Sequence, residues 1–255
     1  MRAAAGGPPV RAAAGGSAVI IGAALCPSPP LLARELTGRD PLVSGLREAC
    51  AEVTARLVDA DPDVIAVVGS ASETSAWDSA SRVDLSAFAP ALEADGTPGL
   101  PLSLGLGALL LDQAGYAGPR VLQAVGEREP TARCAELGDK LSASVGRAAL
   151  LVLGDGSARR SLTAPGHLDE RAAPFDAQVE RAIRDGDLAA LAAVNEALAS
   201  DLMATGRPAW QVLAVAMGTG QPATQVLYAD APFGVTYLVA HFEAVTNGAG
   251  WPGAT

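Results

Sequence analysis

Two histidines, His167 and His241, and three cysteines, Cys26, Cys50 and Cys134, are the only imidazole and thiol groups in this 255-residue chain. Their spacing is wide. No pair has the short separation of a zinc motif, and two distant histidines do not hold zinc or iron by themselves. A GxSxG nucleophile elbow is absent. A Ser-His-Asp arrangement would have to recruit one of the two histidines from afar. His167 lies in "TAPGHLDERAAPFD", as an acid/base group or, in the reading favoured by neighbouring Asp169, as a helix-entry residue. His241 ends the last apolar run and reads as exposed or structurally paired.

More chemistry is carried by polar segments that follow apolar runs. "LGDGSARRSL" holds Asp155, Ser157, Arg159 and Arg160. Backbone amides after a strand, with two arginines, could hold a carboxylate or phosphate. The plainer reading is a polar turn with solvated arginines. "YADAPFGVTYLVA" puts Asp230 just past a run, either accepting backbone N–H bonds in a turn or standing as a carboxylate at a catalytic edge. "GLGALLL" (105–111) has the look of a phosphate loop. It lacks a third glycine, and a helix packing closely through small residues fits better.

Those segments need a scaffold. Short apolar runs recur at Ala18–Leu25, Val64–Val68, Arg120–Val125, Ala148–Leu153, Gln225–Tyr228 and Val235–Ala240. Continuous rather than alternating apolar character marks strands covered on both faces. Helical spacing appears between them. Asp40-Pro41 caps a helix through Leu57, and others are expected over 104–114, 131–145, from about Asp169 to Ile183, from Asp187 to Leu202, and over 209–217. On the fourth, Leu168, Ala172, Phe175, Val179 and Ile183 share a face. The pattern predicts an α/β fold: one domain, with a central, mostly parallel sheet flanked by helices on both faces. The domain is expected over 18–243, between disordered tails at 1–17 and 244–255. Ligand sites in such sheets lie beyond the carboxyl ends of the strands.

Composition bounds the partners. The formal net charge is −10 and the hydrophobic fraction is 49%. Acidity without clustered Lys/Arg argues against nucleic acid and anionic membranes. The run "SAVIIGAAL" is too short to span a bilayer. Leu25 before Cys26 does not suit lipoprotein cleavage, so a buried first strand is the better reading. An odd, widely spaced set of thiols fits a reducing cytoplasm.

Taken together, four segments resemble the subunit-B type of class III extradiol ring-cleavage dioxygenases, with Memo-like proteins as relatives. "VIIGAALCPSPPLL" is similar to the family's first strand and Pro-His-Pro-Pro turn. "PDVIAVVGSAS" is similar to its second strand, "LVLGDGSARRSL" with "APFDAQVERAI" to its Gly-Asp-x-Ser-His segment and helix, and "ADAPFGVTYLVA" to its closing segment. The resemblance covers residues 18–241. It implies Fe(II) on two histidines and a carboxylate, with a third histidine as acid/base. This sequence departs at each histidine. Ser28 stands at the first ligand position, about Ala71 at the second and Ala158 at the acid/base position. Asp230 alone matches, as the carboxylate.

The resemblance therefore implies a degenerate iron site, and no cofactor is expected. A site rebuilt from Cys26, Glu73, His167 and Asp230, with Asp78 nearby, is the weaker option. Three functions follow in order: a non-catalytic or ligand-binding homologue, an enzyme of altered chemistry using Asp155, Arg159 or His167, and an iron dioxygenase with its ligands elsewhere. The expected cleft comprises Ser28, Ser70, Asp155, Ser157, Arg159 and Asp230. Its expected partner is a small aromatic or anionic molecule, and a homodimer is compatible.

Overall fold

A computed structural model describes residues 19–33, 43–78, 99–144 and 146–244. The expected tails, apart from Ala244, and the Asp40-Pro41 cap lie outside the described residues. The strands are β1 (Val19–Cys26), β2 (Val64–Ala71), β3 (Ser75–Trp77), β4 (Arg120–Gly126), β5 (Arg147–Leu153), β6 (Ala223–Asp230) and β7 (Tyr237–Glu243). They form one sheet in the order β3-β4-β2-β5-β1-β7-β6. The central four are parallel, and antiparallel strands close each side.

Both faces of the sheet are covered, as the continuous apolar runs require. Ile65 and Val67 on β2, with Leu151 and Leu153 on β5, face α1 (Ser44–Asp59) and α2 (Leu102–Gln113). Ala66, Val68, Leu150 and Val152 face the opposite way. There they meet α3 (Thr131–Ser144), α4 (Ala172–Arg184), α5 (Leu188–Ala192), α6 (Glu196–Asp201) and α7 (Arg207–Ala216). The fold is α/β, with a mostly parallel sheet between two helical layers. No helix among the described residues is long and apolar enough to cross a membrane.

Three local expectations change. β3 has three residues, too few to display a pattern, and is defined by its antiparallel pairing with β4. The helix expected from Asp187 to Leu202 is two helices. Asp187 caps the first by accepting from Ala190 N, and Asn195 caps the second by accepting from Leu198 N. Leu168, expected on a buried helical face, is 49% exposed because α4 begins only at Ala172.

The glycines of "GLGALLL" serve packing. A Cβ on Gly107 would stand 2.5 Å from Val67 Cγ1, so α2 presses onto β2 only without a side chain there. Gly107→Ala is expected to cost about 1–2 kcal/mol in urea unfolding, overpacking outweighing the better helix propensity. A stabilised variant would contradict this packing.

Candidate functional site

The parallel strands all end on one edge of the sheet, where β6 also ends and β7 begins. From β1 the chain leaves toward α1 on one face, and from β5 toward α4 on the other. β2, on the far side of β5, continues into β3 at the outer edge of the sheet. Connections that diverge from neighbouring strands open a crevice between them. Here it opens at the end of β5.

Asp155 stands there, two residues beyond β5, and Ser28 stands two residues beyond β1. The ladder pairs Cys26 with Leu153 and continues one step, with Gly154 N donating to Cys26 O at 3.0 Å. That register brings Ser28 beside Asp155, and its N–H donates to Asp155 Oδ1 at 2.7 Å. Residues 27–30 read Pro-Ser-Pro-Pro. Proline has no N–H, so Ser28 supplies the one amide donor of the turn, on a backbone stiffened from both sides. The Asp155 backbone is fixed as well, its carbonyl accepting from Gly206 N at 2.9 Å. A Cβ on Gly154 would lie 2.4 Å from Gly206 Cα, so this contact between loops depends on the glycines.

Asp155 is half-buried, with one face enclosed by protein. Burial pushes its carboxyl up to about 6, against the pull of the Ser28 amide. No cationic side chain among the described residues offsets its charge. Around it are groups that the sequence reading did not single out. Tyr237 begins β7 and is 3% exposed. Its phenol is held well above the usual range by burial and then by the charge of Asp155 and the nearby Tyr228. Tyr228, on β6, is raised by burial, then by Asp230 and Cys50. Cys50, on α1, is raised by burial, its hydrogen bond with Cys26 and the charge of Asp155. Among the described residues, the hydroxyls of Ser28, Tyr228 and Tyr237 and the second Asp155 oxygen have no hydrogen-bond partner. One signal for the tyrosines was available. The chain has only three, and two flank the Pro-Phe-Gly turn.

The other expected site residues divide. Ser70, at the end of β2, donates to Thr205 O at 2.6 Å and lies close to Gly154, on the flank of the crevice. Asp230 shares the edge and pairs with Tyr237 across β6 and β7, but it is exposed and accepts from Ala231 N at 2.7 Å. Its turn role is therefore the one seen. Ser157 is fully buried and turned away. Its N–H donates to Asp176 Oδ1 at 2.9 Å, and its hydroxyl to Asp176 Oδ2. Arg160 and Thr236 also donate to that carboxylate, at 3.2 and 2.7 Å. The polar turn after β5 is thus clamped inward by a helical aspartate. Arg159 packs against Gly166 and Met203, near Asp169, with its Nε buried and unpaired. His167 is exposed, with φ 57°, at a loop bend.

The positions that the resemblance assigns to histidine carry no imidazole. Ala71 ends β2, and Ala158 is buried with its N–H on Leu202 O. Neither offers a ligand, and Ser28 brings only a neutral hydroxyl. Among the described residues no three His, Cys, Asp or Glu side chains gather as metal ligands. Cys26 is buried, and Glu73 and His167 are exposed on separate loops. With Asp230 at the outer strand, they do not form the rebuilt site.

Comparison with known proteins gives a fold neighbour. No family model matches the chain, and no curated protein matches it. A solved structure, that of the uncharacterized protein JW3007 from Escherichia coli K12, superimposes with a TM-score of 0.51 at 18% identity. The match covers 87% of this chain and 99% of that one. At that identity the likeness is one of fold.

Proposed function

We propose that this chain is a subunit-B-type extradiol-dioxygenase-like protein that lacks the iron site and uses the remaining crevice to bind a small ligand. The observation that carries the reading is Asp155. It is a carboxyl at the diverging strand ends, fixed by Ser28 N–H at 2.7 Å and open on its other oxygen. The turn that would carry the first iron ligand instead offers a backbone amide to a carboxylate. Burial of all three free cysteines is compatible with a cytoplasmic setting.

The test is direct. The purified protein is incubated anaerobically with Fe(II), desalted and assayed for bound metal and for oxygen uptake with a panel of catechols. The expected result is iron far below one per chain and no uptake. Stoichiometric iron with ring cleavage would overturn the proposal.

A second reading has its own observation. A carboxyl held near 6 is poised for general acid–base work close to neutrality. Metal-free turnover of a ligand, lost in Asp155→Asn, would select it.

A further inference from the structure

We propose that the ligand of the Asp155 crevice carries a protonated amine, and that Asp155 pairs with it as a carboxylate. This rests on the reading of the crevice as a ligand site and adds the chemistry of the ligand's head group.

Asp155 is a half-buried carboxylate with no cationic partner among the described residues. A charge partly removed from water is costly unless an opposite charge meets it. Of the nearest arginines in sequence among the described residues, Arg160 bonds to Asp176 and Thr236, and Arg159, whose Nε is unpaired, lies beside Gly166 and near Asp169. Among the described residues, the titratable groups that feel the charge of Asp155 are Cys50 on α1 and Tyr237 on β7, and neither is a cation.

What the crevice offers is complementary. An ammonium has three donors and no acceptor. The second Asp155 oxygen and the hydroxyl oxygens of Ser28, Tyr237 and Tyr228 can all accept, and none has a partner within the described protein. Tyr237 is 3% exposed as a residue, and its hydroxyl has no partner among the described residues. The two phenol rings can further favour a cation through their faces. A carboxylate or phosphate ligand would meet Asp155 as a like charge. A neutral hydroxyl ligand would leave the half-buried charge uncompensated.

Three single-ring probes that differ in their head group separate these cases: benzylamine, benzyl alcohol and benzoate. Binding is followed by calorimetry and by amide chemical shifts at Ser28. Benzylamine is expected to bind, and the other two to bind at least about tenfold more weakly. Asp155→Asn, with its fold verified by thermal melting, should weaken benzylamine at least about tenfold. Tyr237→Phe should weaken it less. Affinity should fall as pH drops through about 6, where Asp155 takes up a proton. Benzyl alcohol or benzoate binding as tightly as benzylamine, with Ser28 shifted, would overturn the amine inference and leave the crevice as a ligand site. Benzylamine binding undiminished in Asp155→Asn would also overturn it. Failure of all three probes to shift Ser28 at concentrations of about 10 mM, enough to detect contacts of a few kcal/mol, would count against both readings.

Discussion

Asp176→Ala is expected to cost about 3–5 kcal/mol of folding free energy, the largest effect of any single polar substitution proposed for this chain. Asp176 is 3% exposed and sits on α4, beneath the loop that follows β5. One oxygen accepts from Ser157 N at 2.9 Å; the other accepts from Ser157 Oγ, Thr236 Oγ1 and Arg160 Nη1. Truncation leaves these donors facing an apolar hole and leaves the Arg160 charge unpaired. Asparagine would retain one acceptor and should cost less. Urea denaturation at neutral pH reads both. A loss below about 1 kcal/mol for the alanine variant would mean that the network is open to water, as exposed ion pairs are. Asp155 lies on the same loop, so a loosened loop should also blur the crevice.

Asp155→Asn is expected to do the reverse, stabilising the fold near neutrality by up to about 3 kcal/mol. The direction follows from proton linkage. The carboxyl stands at about 6 in the folded protein against an ordinary value of 3.8. Between those values the folded chain holds a proton that the unfolded chain has released. Stability from this group is therefore full below about pH 4, falls as pH rises toward 6, and stays lower above it. Asparagine keeps an oxygen for the Ser28 amide and removes the charge. Its unfolding free energy should be nearly flat from pH 4 to 7 wherever the native protein's falls with this group. A variant that is destabilised at pH 7 and unchanged at pH 4 would show that the charge is already compensated. A residue that weakens its own fold is expected where a site is kept for a ligand.

The scaffold was largely legible because its signal is local. Val64–Val68 and Ala148–Leu153 are apolar without alternation, and only a strand buried on both faces explains that economically. Strand order was not legible. The neighbours of β5, β1 and β2, are far from it in sequence, and only tertiary pairing joins them. The location of the site followed from the rule about strand ends, which placed Ser28 and Asp155 on one edge. Their hydrogen bond, by contrast, depends on register.

Read along the chain, Ser157, Arg159 and Arg160 allow either an anion site or a polar turn with solvated arginines. Asp176, nineteen positions on from Ser157, turns Ser157 and Arg160 inward. A helical aspartate that faces the core looks like a solvated one in sequence. Tyrosine on a strand is ordinary, so Tyr228 and Tyr237 do not stand out in the sequence as site residues. It is their neighbour in space, Asp155, that gives them a role. The two helices between Asp187 and Leu202 share one apolar rhythm, and the Asn195 cap that divides them can equally sit on a helix surface.

The central claim is that Asp155 is a half-buried, open carboxyl tied to Ser28 at the strand ends. The Ser28 backbone amide reports it most directly, because its N–H donates to Asp155 Oδ1. In an NMR titration that amide should shift with a midpoint near 6, and the transition should vanish in Asp155→Asn. A Ser28 shift that follows an ordinary carboxylate midpoint near 4, or that persists in Asp155→Asn, would contradict the account.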